Sequence, residues 1–284
     1  MATAEQHTDP VANHGEGPVW FAEAGELHWV DMLAGDVLTL ASDGSIQRRN
    51  VGSVAAAVRP RITGGFVVAL ERGFALDDGD GTPLRVMAEL WSDAGVRMNE
   101  GGCDPDGRFY CGSMAYDGTR GAGALYRLDI DGTVTTVLTG CTISNGLDWS
   151  PDGARAYYVD TANQRVDVFD YDRSAGLTQR RTFVVIDPVD GAPDGLTVDA
   201  EGGVWVALWG GSHVRRYSPD GRLDLVVEVP ATQVTACTFG GQNLDQIFVT
   251  TSRLGVDRAT EPLAGAVFRY STAVSGLPPR PYVG

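Results

Sequence analysis

Residues 141–153 read CTISNGLDWSPDG, and this stretch sets the frame for the whole chain. A polar residue followed by glycine, Asn145-Gly146, stands just before a short apolar run, and a Pro-Asp-Gly turn stands just after it. The same order returns forty-nine residues later, where Asp194-Gly195 opens LTVD and Glu201-Gly202 closes it. Forty-six residues earlier, Asn99 and Glu100 precede GGCD, and Pro105-Asp106-Gly107 follows. A unit that returns every forty-odd residues is the mark of a repeat architecture.

Three kinds of segment recur in the same sequence along the chain. The first is the start of a short strand, near Glu16, Ser53, Asn99, Asn145, Asp194 and Thr235. The second is a β-branched or aromatic run after a turn, from ELHWVD at Glu26 to QIFVTTS at Gln246. The third is a polar-alternating run, from VLTLASD at Val37 to GAVFRYS at Gly265. Each kind occurs six times, and TVTTVL from Thr133 and LDLVVEV from Leu223 supply a fourth strand per unit. The runs are short, rich in Val, Tyr, Phe and Trp, and bounded by Gly, Asp, Pro and Ser, which is strand-and-turn chemistry. The expected fold is therefore all-β, a six-bladed β-propeller with four-stranded antiparallel blades, and residues 1–284 form one domain with residues 1–12 as a flexible lead. A two-sheet sandwich is the alternative, but it gives no reason for a regular period.

Composition narrows the partners. A formal net charge of −15 repels phosphate backbones and anionic lipid, so nucleic acid and membrane are excluded as partners and a small molecule is favoured. The 37 glycines match the many turns of such a fold. Cys103, Cys111, Cys141 and Cys237 lack any C-x-x-C pairing and read as buried thiols. MATAEQHTDP lacks the basic start and apolar run of a secretory signal, and no apolar run approaches a membrane span, which places the protein in the cytoplasm. The segment DGDGTPLRVMAE from Asp78 has acids where a calcium loop has them, but Pro83 stands where its turn glycine is required, and it reads as a hairpin.

In a propeller the inner strands of all blades start at the same end of the channel, so Glu16, Arg97, Asn99, Asn145 and Asp194 are expected to converge. Asn-Gly and Asp-Gly taken singly are ordinary hairpin turns. Their shared phase, several residues ahead of the actual acidic turns, argues for strand entrances instead. One Glu, one Asn and one Asp offer oxygen donors to a hard divalent cation such as calcium, magnesium or manganese. His14 is close to Glu16, but a loop or core role fits it better, and Trp149, Trp205 and Trp209 read as blade-packing core.

The elements GEGPVW from Gly15, RMNEGGCDPDGRFYCGSM from Arg97, ISNGLDWSPDG from Ile143, PDGLTVDAEGGVWVALWGG from Pro193 and TACTFGG from Thr235 resemble the SMP-30/gluconolactonase/regucalcin-like (LRE) family. The resemblance spans nearly the whole chain. It implies a six-bladed propeller that binds one catalytic divalent metal ion and hydrolyses sugar lactones. Matched motif by motif, it implies Glu16, Asn145 and Asp194 as metal ligands and Arg97 and Asn99 as substrate-binding residues. Calcium is the metal expected first, with magnesium, manganese, zinc or iron as alternatives. Thr119 stands where related chains often carry a glutamate that binds sugar hydroxyls. Asp194 is the candidate general base. A broader esterase or phosphotriesterase on the same metal site, and a calcium-binding propeller without turnover, are the alternative functions.

Overall fold

The computed structural model describes residues 2–284. It is a six-bladed β-propeller, each blade built on a four-stranded antiparallel sheet, and among the described residues helical structure is confined to three single 3₁₀ turns. From the channel outward, the first blade is Gly15–Phe21, Glu26–Asp31, Asp36–Leu40 and Ile46–Asn50. The inner strands of the next five blades are Ala57–Pro60, Val96–Cys103, Ser144–Trp149, Ala192–Val198 and Val234–Gly240. Among the described residues no helix is long and apolar enough to cross a membrane.

The sixth blade closes the ring. Its outermost strand is Glu5–Gln6, paired antiparallel with Val267–Ser271. Ala2–Thr3 runs parallel to Leu223–Glu228, the outer strand of the fifth blade. The lead of residues 1–12, expected to be flexible, thus holds two strands that tie the chain's start to its last two blades. Met1 lies outside the described residues.

Packing between blades explains the repeated aromatics. Trp149 of the fourth blade meets Tyr110 of the third edge-on at 5.4 Å, and Trp205 of the fifth meets Phe239 of the sixth at 5.7 Å. Both indoles are fully buried, as expected of core. Each removes roughly 150–250 Å² from water, about 4–6 kcal/mol at the usual coefficient. Trp209 departs from that reading, being only half-buried at the channel mouth. All four cysteines are buried free thiols.

The second blade is the exception to the strand-entrance pattern. Its inner strand begins at Ala57, not near Ser53, and pairs with Phe66–Ala69 without a break in register. Ser53 is exposed, its hydroxyl donating to Glu71 Oε2 at 3.1 Å. Small apolar residues, Val54 to Ala57, fill the place where the other blades carry polar groups.

The far end of the channel is shut by the C-terminal segment. Leu277, Pro278, Pro279 and Arg280 line a cavity of about 70 Å³ on the axis, together with Arg59, Glu100 and Asp148. Arg280 pairs with Asp148 at 3.3 Å, and the buried Tyr282 anchors the segment by donating its hydroxyl to Asp129 O at 2.8 Å. The opposite end, where the inner strands begin, is the mouth of the channel.

Candidate functional site

At the mouth end of five inner strands the ladder slips. The register shifts between Glu16 and Val19, Met98 and Gly101, Ser144 and Leu147, Pro193 and Leu196, and Val234 and Ala236. Such bulges break the alternation of a strand and turn a side chain out of its sheet. Glu16, Asn99, Glu100, Asn145 and Asp194 all lie within them. The polar-plus-glycine pairs of the sequence are thus bulge residues.

Glycine is required at two of these bulges because successive inner strands touch there. A Cβ on Gly146 would lie 2.8 Å from Asp194 O, and one on Gly195 would lie 2.4 Å from the Ala236 Cβ. Without side chains at these points the backbones close up. The inner strands that carry Asn145 and Asp194 are drawn together as a result.

The five converging residues are buried. Arg97 Nη1 donates to Asn99 Oδ1 at 2.6 Å, Asn99 Nδ2 donates to Asn145 Oδ1 at 2.8 Å, and Asn145 Nδ2 donates to Thr161 Oγ1 at 2.8 Å. Asn99 Nδ2 also donates to Ser144 O at 2.9 Å. Glu16 Oε2 accepts from Gly17 N at 3.1 Å. Asp194 Oδ1 is buried with no hydrogen-bond partner, as are Glu100 Oε2 and Arg97 Nε.

Three buried carboxylates, Glu16, Glu100 and Asp194, act on one another electrostatically here. Burial pushes Glu16 and Asp194 well above the usual carboxylate range, and repulsion from Glu100 raises both further; Glu16 in turn raises Asp194, while Arg97 pulls both back. Glu100 is raised to about 7 by burial, with Arg59 opposing and Asp148 adding to the shift. Burial lowers the Arg97 guanidinium. Arg97 forms no ion pair with Glu100; its Nη1 turns instead to Asn99, to Met98 O at 2.9 Å and to Met32 Sδ at 3.0 Å.

A buried anion cluster of this kind is costly unless a cation joins it. Among the described residues no three of His, Cys, Asp and Glu gather as a metal-binding group. The expected set has only two such residues, Glu16 and Asp194, with an amide oxygen as third donor. An unpartnered Asp194 oxygen, two carboxylates raised chiefly by burial and an all-oxygen donor set fit a hard divalent ion.

A second ring of residues surrounds this cluster, at or just after the end of each blade's second strand. The Tyr116 ring covers the Arg97 guanidinium at 5.6 Å, and its hydroxyl donates to Glu71 Oε1 at 2.7 Å. Thr161 receives the Asn145 amide. His14 Nδ1 meets Ser252 Oγ at 2.8 Å, and burial with the nearby Arg97 charge holds the imidazole down to about 4, hence neutral.

A family model described as SMP-30/gluconolactonase/LRE-like region matches residues 14–253. The chain belongs to the SMP-30/gluconolactonase/LRE-like family. It is 38% identical over 291 aligned positions to pentonolactonase XacC of Haloferax volcanii, covering 97% of each chain. It is 36% identical over 279 positions to regucalcin of Danio rerio, covering 95% of each. The crystal structure of a calcium-binding protein, regucalcin, from Agrobacterium tumefaciens superposes with a TM-score of 0.92 at 29% identity, covering 99% of each chain.

Within this family frame Thr119 stands apart from the cluster. It is exposed on the loop after Phe109–Ala115, where its amide donates to Asp117 Oδ1 at 2.9 Å. Tyr116, from the same loop, is the residue that reaches the buried arginine. Sequence reasoning missed Tyr116, Thr161 and Glu71, and the signal that locates them is their common position at the end of each unit's second strand.

Proposed function

We propose that the chain is a metal-dependent lactonase that opens a sugar lactone to its hydroxy acid. The observation that carries this reading is the buried, unpartnered Asp194 carboxylate oxygen in the same cluster as Glu16 and the Asn99–Asn145 amide pair, at the end of the channel where the inner strands begin. The similarity to a chain named pentonolactonase supports the substrate class. Glu16, Asn145 and Asp194 would hold the ion, calcium first among the candidates. When bound, it supplies Lewis-acid stabilisation of the charge that develops on the lactone carbonyl oxygen.

The remaining work falls to the chain. Asp194 takes the proton of the water whose oxygen attacks the carbonyl carbon. The ring C–O bond then breaks, and the departing oxygen receives that proton. Arg97, pinned by Tyr116 and Asn99, keeps its Nε free to donate to the substrate, and Asn99 sets the orientation of Asn145. Thr119, on the mouth-side loop, is proposed to influence which sugar is accepted.

The test is a pH-indicator assay across a lactone panel with the protein stripped by chelator and then reloaded with one metal at a time. Activity should vanish on stripping and return with a hard divalent ion. Undiminished hydrolysis by fully stripped protein would refute the reading. The description of the Agrobacterium structure as calcium-binding favours a second reading, ion binding without turnover. Calcium binding without hydrolysis of any lactone would select it.

A further inference from the structure

His14 precedes the inner strand of the first blade and Trp209 ends the second strand of the fifth, yet their rings meet edge-on with centroids 6.0 Å apart at 83°. These blades are not neighbours. The rings touch because both reach inward across the start of the sixth blade's inner strand. Gln233, the residue just before that strand, bridges to Trp209 through the backbone and accepts from Ser252 N at 2.9 Å. Ser252 Oγ in turn holds His14 Nδ1. The Gln233 backbone thus joins the Trp209 and His14 rings on one side of this end of the channel.

This group is rigid and chemically incomplete. A Cβ on Gly191 would lie 2.8 Å from Trp209 O, and one on Gly211 would lie 2.3 Å from Asp190 O, so the loop carrying Trp209 packs without slack. The indole is only half-buried, unlike Trp29, Trp149 and Trp205. The Gln233 Oε1 is buried with no donor, and His14 has committed Nδ1 but no second nitrogen. An aromatic face beside an unmet acceptor and an imidazole suits a ligand with C–H faces and hydroxyl donors.

We propose that Trp209, His14 and Gln233 form a sugar-selective wall of the site, stacking on the C–H face of a polyhydroxylated lactone and accepting a hydrogen bond from one of its hydroxyls. This rests on the lactonase reading and assigns the residues that select its sugar. A lactone without hydroxyls leaves Gln233 Oε1 unsatisfied, which costs roughly ten- to a hundredfold in discrimination.

The experiment compares D-gluconolactone with δ-valerolactone, which has the ring ester but no hydroxyls, in wild type, Gln233→Leu, Trp209→Phe and Trp209→Ala. For Gln233→Leu the ratio of kcat/KM between the two lactones should fall at least about tenfold, mainly through KM for gluconolactone. Trp209→Ala should raise that KM, and Trp209→Phe should restore most of it. Equal losses on both lactones, or no loss, would overturn the proposal. A second readout needs no turnover: titration with gluconate should quench tryptophan fluorescence in wild type, and Trp209→Phe should lose that quench. If wild type hydrolyses no lactone, the functional reading fails while this titration still judges the wall, and a quench that survives in Trp209→Phe counts against it.

Discussion

Asn99 donates its side-chain amide to Asn145 Oδ1 at 2.8 Å, so a residue assigned to substrate fixes the orientation of a residue assigned to metal. The bond is one link of a chain in which every donor points the same way, from Arg97 through Asn99 and Asn145 to Thr161. Truncating any link frees the amide after it to rotate. The substrate and metal functions of this site are therefore coupled through side chains rather than separable by residue.

Asn99→Ala should accordingly impair both. Metal affinity should fall about ten- to a hundredfold, the usual cost of losing a group that orients a ligand, alongside a higher KM. Calcium titration by calorimetry checks the first effect. Unchanged calcium affinity would mean that Asn145 holds its position without Asn99.

The Tyr116 ring over Arg97 should contribute about 0.5–2 kcal/mol to holding the guanidinium. Tyr116→Leu should raise KM by up to roughly thirtyfold with kcat little changed, whereas Tyr116→Phe, which loses only the bond to Glu71, should behave almost as wild type. Steady-state kinetics on the three proteins separates ring from hydroxyl.

Thr119→Glu places a carboxylate on the mouth-side loop. The order of preference among sugar lactones should change while metal affinity stays constant. The same ranking before and after would place this loop outside substrate contact.

Glu100 gives a pH signature in metal-stripped protein. Its carboxyl is raised to about 7 when folded and titrates near 4.5 when unfolded, so the folded state binds the extra proton between those values. Stability from this group is full below about 4.5 and is lost as pH rises through about 7. Glu100→Gln removes the buried charge, so above neutrality it should gain stability relative to wild type. The gain is at most about 3 kcal/mol, since a tenfold change in proton affinity between the folded and unfolded chain corresponds to about 1.4 kcal/mol. The difference should close by about pH 4.5. Urea melts across this range read it out, and a constant difference would remove the ionised Glu100 as the cause.

The parts of the fold and site visible in the sequence are those that repeat. Asn145-Gly146 and Asp194-Gly195 are readable because the bulge that aims the polar residue also needs a glycine where adjacent backbones touch, which leaves a two-letter trace at fixed phase. Ser53 misleads because the second blade has no bulge and enters its strand on small apolar residues, leaving no such trace. Ala2–Thr3 and Glu5–Gln6 are too short to carry a period, and their pairing depends on the last two blades. Tyr116 and Trp209 sit in strand-like runs, and only the register of their blades shows that each stands at the mouth. The closure of the channel by residues 277–280 depends on contacts with Asp148, more than a hundred residues away.

The most direct measurement is kcat of Asp194→Asn on a sugar lactone at saturating metal, because this substitution keeps the shape and one oxygen donor while removing the charge and the ability to take a proton. We predict a correctly folded protein, weaker metal binding, and a kcat that stays at least about 10² to 10⁴ below wild type even when metal is saturating. Recovery of wild-type kcat under those conditions would contradict the role of Asp194 as the base.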